Sequence, residues 1–153
     1  MMRVAARIPL LIGVMLGCVF TLAGCVSSGG SSYSDLERAQ TDADQLVGVV
    51  PPRVLDGVKE ESTRFVGEFD ELPIFIGSSV DGRSHCLLVN TSPENNDSWL
   101  VGRGGPSLAV SLQDDTTFKL VPDGAVAKDD EQLVGVNVLV EPSEWQRDAT
   151  LSG

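Results

Sequence analysis

From residue 62 onward, short apolar runs alternate with turn residues along the chain. "STRFVGEF" precedes "DELP", and "PIFIGSS" precedes "VDGRS", where Asp81-Gly82 is a hairpin signal. "HCLLVN", "SWLVG", "SLAVSL" and "TFKLV" follow, each ended by a loop rich in Gly, Pro, Asp, Asn or Ser, and the last run is "LVGVNVLVEP". About seven strands at this spacing predict an all-β domain: an antiparallel meander, sandwich or small barrel. Side chains alternate across a strand, so Leu108, Val110 and Leu112 share one face of "SLAVSL". The same rule groups Val136, Val138 and Val140 in "GVNVLV". There is no strand–helix–strand alternation, which argues against a doubly wound fold.

Ahead of the strands, "SDLERAQTDADQL" (34–46) holds good helix formers, with Ser34 and Glu37 spaced as a capping box. Its apolar residues are too few for a buried face, so a frayed helix or an acidic extension is expected. In "VVPPRVLDG", Pro51 and Pro52 open and Gly57 ends one short helical turn. The closing "EPSEWQRDATLSG" reads as a loose tail in which Trp145 can pack back on the domain.

The first 24 residues follow another pattern. Arg3 and Arg7 precede sixteen uncharged residues, 8–23. A spanning helix wants about 20 apolar residues, so a shorter stretch with basic residues on one flank reads as a secretory signal peptide. Its end, Leu22-Ala23-Gly24-Cys25, resembles the lipobox of bacterial lipoproteins. The resemblance implies a diacylglyceryl group on the Cys25 thiol, cleavage before Cys25, and loss of Cys18 with the signal. It also implies an extracytoplasmic protein held at the bacterial cell membrane, since two acyl chains anchor stably where one does not. "VSSGGSSYS" after Cys25 has the composition of a flexible tether. Val26 is not aspartate, so an inner-membrane retention signal is absent.

Four segments are therefore expected: signal peptide 1–24, lipidated cysteine with acidic tether 25–46, β-rich domain 47–142, and tail 143–153. Two of the eleven basic residues precede Cys25, leaving nine against 22 acidic in the 129-residue mature chain, a net charge of −13. That balance argues against nucleic acid, which needs Lys/Arg patches, and against anionic lipid. The expected partner is the membrane itself, through the anchor on Cys25, with a further protein or small ligand unidentified.

Candidate chemistry is sparse. "SHC" sets the only histidine beside the one cysteine left after the anchor. On a strand His85 and Cys86 point to opposite faces, His85 with Leu87 and Val89, Cys86 with Leu88, so a nucleophile pair is not expected. "VGRGGP" (101–106) lacks dinucleotide-loop spacing and reads as a wide turn. Ser78 and Ser79 sit in no nucleophile elbow. "PENNDS" and "QDDT" carry oxygen ligands but no EF-hand pattern, and no His/Cys cluster suggests zinc, so no metal or cofactor is expected. Cys86, with no partner in an oxidising compartment, is expected to be a buried free thiol.

"CLLVN" (86–90), "WLVGRGG" (99–105) and "VPDG" (121–124) resemble a loosely defined group of small secreted or lipidated actinobacterial proteins. That group is functionally uncharacterised, and its pattern has cysteine where this chain has Arg103. The expected function is a lipid-anchored, non-catalytic binding module at the cell envelope. The alternatives are an envelope-acting enzyme of unrecognised type and a purely structural component.

Overall fold

The computed structural model describes residues 31–46 and 50–151. Strands β1 (Arg64–Phe69), β2 (Leu72–Ser78), β3 (His85–Asn90) and β4 (Trp99–Gly104) form one sheet in sequence order. Strands β5 (Ala109–Ser111), β6 (Thr117–Leu120), β7 (Gln132–Val134) and β8 (Val138–Glu141) form a second, ordered β5-β6-β8-β7. All strand pairs are antiparallel. The all-β expectation holds, as an open two-sheet sandwich. The strand number changes from seven to eight because "LVGVNVLVEP" folds back at Gly135, φ 61°, into a β7–β8 hairpin. Val138 and Val140 are buried as expected, but Val136 lies in the turn and is 42% exposed, so it shares no face with them.

One core lies between the sheets, with Ile74, Ile76, Leu87 and Val89 from the first and Phe118, Leu120, Val138 and Val140 from the second. Val110 and Leu112 pack against it beside Leu108, as the alternation in "SLAVSL" predicts. A second cluster of Phe75, Cys86 and Leu88 covers the other face of the first sheet. It is closed by Val54 and Val58, which helix α2 (Pro52–Leu55) and the Gly57 turn bring over that face. The first sheet is thus apolar on both sides, which is why "HCLLVN" is nearly unbroken by polar residues.

The glycine-rich run is not a wide turn. Gly102 and Gly104 lie within β4, and the chain then crosses to the other sheet at β5. A Cβ on Gly102 would overlap Val110 Cγ1 and lie 2.9 Å from Leu108 Cδ1. Gly67 does the same at the β1 bulge, where a Cβ would lie 2.7 Å from Val134 Cγ1. Glycine at these two points lets the sheets close on each other.

Residues 32–45 are not a free tether. Tyr33, at the start of helix α1 (Ser34–Glu37), is 4% exposed, stacks on His85 with centroids 4.4 Å apart, and donates its hydroxyl to Pro106 O at 2.7 Å. Ser34 forms no capping box; its N–H and hydroxyl both donate to the Asp123 carboxylate, at 2.8 and 2.6 Å. Asp35 Oδ2 accepts from Val136 N and Asn137 N. Further on, Arg38 donates to Phe65 O while Phe65 N donates to Asp44 Oδ1, so this strap satisfies outward backbone groups of edge strand β1. Its composition conceals the docking because the contacts are polar and reach 89 to 102 residues along the chain at Asp123 and Asn137. The bound part of the chain therefore begins well before 47. The tail also differs from expectation: Glu144–Leu151 is helix α3. Among the described residues no helix is long and apolar enough to cross a membrane.

Strand register gives the sandwich two poles. At one, the β1–β2 turn, the 91–98 loop, the β5–β6 turn and the start of α3 meet, tied by Gln146, which bonds both Asp70 and Thr116. At the other lie the 79–84 loop, Pro106, Asp123 and the β7–β8 turn, and there Ser32–Asp35 enters the fold.

Candidate functional site

Helix α3 crosses the first pole and makes a cleft of about 670 Å³ with the end of the sandwich. Its apolar wall is Phe69, Pro142 and Trp145, and its polar lining includes Asp70, Asp129, Asp130 and Glu131 with one cation, Arg147. Phe69 forms the floor because it belongs to the core, edge-on to Phe118 with centroids 6.2 Å apart. Trp145 is 62% exposed, an unusual setting for the largest apolar side chain.

The helix is held by its second residue pair. Gln146 Oε1 accepts from Ser143 N, Ser143 Oγ and Thr116 Oγ1, each at 3.0 Å, and its Nε2 donates to Asp70 Oδ2 at 2.5 Å. Arg147 reaches Asp130 at 3.4 Å. These bonds fix the helix start, and so the side of the cleft on which Trp145 stands.

On the rim, Lys119 Nζ donates to Glu131 at 2.9 Å and to Glu141 at 2.8 Å. The Lys119 contact, with a further bond from Lys128 N, holds the Glu131 carboxyl below its usual range. Glu141 and Glu131 together raise Lys119. Lys119 thus holds Glu131 ionised at neutral pH. Asp70 and Glu71 form the β1–β2 turn with φ of 49° and 62°, a conformation usually filled by Asn or Gly.

Two other hollows exist among the described residues. One of about 340 Å³ is lined by Phe65, Phe75, Trp99 and Asn96, with the Trp99 indole N–H donating to Asn96 O. One of about 580 Å³ is lined by Gln40, Leu46, Val50 and Thr63. Neither holds a fully exposed aromatic side chain.

The lipobox residues Leu22, Ala23, Gly24 and Cys25 lie outside the described residues. His85 and Cys86 diverge as strand geometry requires: His85 stacks under Tyr33 on one face, and Cys86, fully buried and unbridged, packs with Leu88 on the other. Burial pushes the Cys86 thiol up and the His85 imidazole down. Among the described residues, buried His85 Nδ1 has no hydrogen-bond partner. "PENNDS" is tied to the end of β3, Asn90 Nδ2 donating to Asn96 Oδ1 at 2.6 Å, and to helix α2, Arg53 donating to Asp97 O at 2.9 Å. The cleft was not foreseen from the sequence. The one trace of it was a tryptophan in an otherwise polar tail beside "KDDEQ". Comparison of the chain with protein-family models, curated proteins and solved structures finds no match in any of the three.

Proposed function

We propose that this protein is a lipid-anchored, non-catalytic binding module on the outer face of the bacterial cell membrane. Its Trp145 cleft would take a lysine- or arginine-bearing segment of a partner protein. The observation that carries this reading is the exposed Trp145 in a cleft that also holds Asp70, Asp129 and Asp130. An indole face and carboxylates together favour a cationic side chain, the ring through cation–π attraction and the rim through charge. Tryptophan is also among the residues that carry most binding energy where proteins meet.

A synthetic lysine-rich peptide is a direct probe. Its binding should weaken with salt, as attraction between exposed charges does. Trp145→Ala should cost about 2 kcal/mol, roughly thirtyfold in Kd. Equal affinity of Trp145→Ala and the natural chain would refute the cleft as the site. The anchor has its own test. Cys25→Ser should abolish metabolic palmitate labelling and release the protein from membranes, and unchanged labelling would overturn that half of the reading.

A further inference from the structure

The strap changes how far the domain can stand from a membrane. Ser32 is already bound to the fold, since Asp123 N donates to Ser32 O at 2.9 Å. Only seven residue steps separate it from Cys25. They span at most about 25 Å fully extended, and about 15 Å root-mean-square as a flexible chain. A strand of six residues is itself about 20 Å long. The pole where the tether enters is therefore within reach of the lipid headgroups at all times.

That pole also has the composition for contact. Two hairpin tips, one from each sheet, carry exposed valines there: Val80, 68% exposed, and Val136, 42% exposed. Val136 sits at the tether itself, because its N–H is bound by Asp35. Arg83, on the same tip as Val80, is exposed and forms no ion pair among the described residues. The opposite pole is electrically different. Its three turns hold Asp70, Glu71, Glu94, Asp97, Asp114 and Asp115, with no lysine or arginine among their residues. An anionic bilayer repels negative charge within a Debye length of about 8 Å, so the inverted orientation is penalised more than the upright one, whose pole carries Asp35, Asp81 and Asp123 beside Arg83.

Resting on the anchor reading above, we propose that the tether pole is a membrane-contact surface. The tips bearing Val80, Arg83 and Val136 lie against the phospholipid headgroups, and the Trp145 cleft faces outward. The charge argument made from composition then weighs most on the far pole, whose turns hold six carboxylates.

Photo-crosslinking tests this in the full chain. p-Benzoylphenylalanine is placed at Val80, at Val136, or at Trp145 on the far pole, and cells are irradiated. Intact-mass analysis should find phospholipid adducts several-fold more abundant from the two valine positions than from position 145. Adducts to protein from positions 80 and 136, or equal lipid adducts from all three, would overturn the proposal. The same masses report whether Cys25 is acylated, so failure of the anchor is seen separately. In that case the chain from Cys25 onward is coupled through that thiol to maleimide-phosphatidylethanolamine in anionic vesicles. Cys86 is buried and does not compete. The positional preference must then appear on the vesicles, and its absence there refutes the surface.

Discussion

Asp44→Ala tests whether the strap is part of the fold or an ornament on it. Asp44 is 1% exposed. Its Oδ1 accepts from Arg38 Nη2 at 2.5 Å and Phe65 N at 2.9 Å. Its Oδ2 accepts from Arg38 Nη1 at 2.7 Å, Thr41 N at 2.6 Å and Thr41 Oγ1 at 2.8 Å. Alanine leaves the two backbone donors unpaired, at about 1–3 kcal/mol each where water is excluded. Arg38 suffers less, because its side chain is 37% exposed and can turn to solvent. A loss of about 3 kcal/mol follows, or roughly 10 °C in Tm for a domain of this size. Urea unfolding at pH 7, read by tryptophan fluorescence, measures it. The pH dependence checks the cause. Arg38 and the donors hold the Asp44 carboxyl well below the usual carboxylate range in the folded state. Its contribution is therefore complete above the unfolded value of about 3.9 and is lost as pH falls from there toward the folded value. The gap between the natural chain and Asp44→Asn should narrow steadily as pH falls below about 4. A difference under about 0.5 kcal/mol at pH 7, within the range of ordinary surface substitutions, would refute the reasoning, as would a gap that does not narrow in acid.

Other outcomes follow from single contacts. Cys86 pairs directly with Arg103 across β3 and β4, so Arg103→Cys should form a disulfide under oxidising conditions, stabilising by up to about 3 kcal/mol, with intact mass as the measurement. Gly102→Ala drives a Cβ into Val110 and should cost about 1–3 kcal/mol in urea unfolding. His85 is partly buried with its pKa lowered, so its neutral form favours folding above about pH 6.5 and that gain is lost as pH falls below it; His85→Leu should flatten the stability slope there.

Much of the sandwich was legible because period-2 burial is a local property. "SLAVSL" and "HCLLVN" placed their faces correctly, down to the divergence of His85 from Cys86. What escaped notice depended on distant partners. A glycine in "VGRGGP" looks like a turn until Val110 is known to press on it. The residues from Tyr33 to Asp44 look solvated until Asp123, Asn137 and Phe65 are known to receive them. The cleft required three separate segments, at Phe69, Asp129–Glu131 and Trp145, and no local pattern joins them. Val136 failed for a simpler reason: Gly135 adopts a positive φ, and the alternation counted through it as though the strand continued.

The strap also sets an order of events. It is the first part of the described chain to emerge, whether from a ribosome or through a membrane. Its docking sites at Asp123, Val136 and Asn137 emerge 89 to 102 residues later. Arg38 and Asp44 can cover Phe65 on the outer side of β1 as soon as that strand emerges, but the Ser34–Asp35 end stays unbound until the second sheet forms. Closure by the strap is a late, long-range step, and such steps are slow. The residues that enter first at this pole are therefore among the last to be fixed, and they lock the two sheets together only once both have formed.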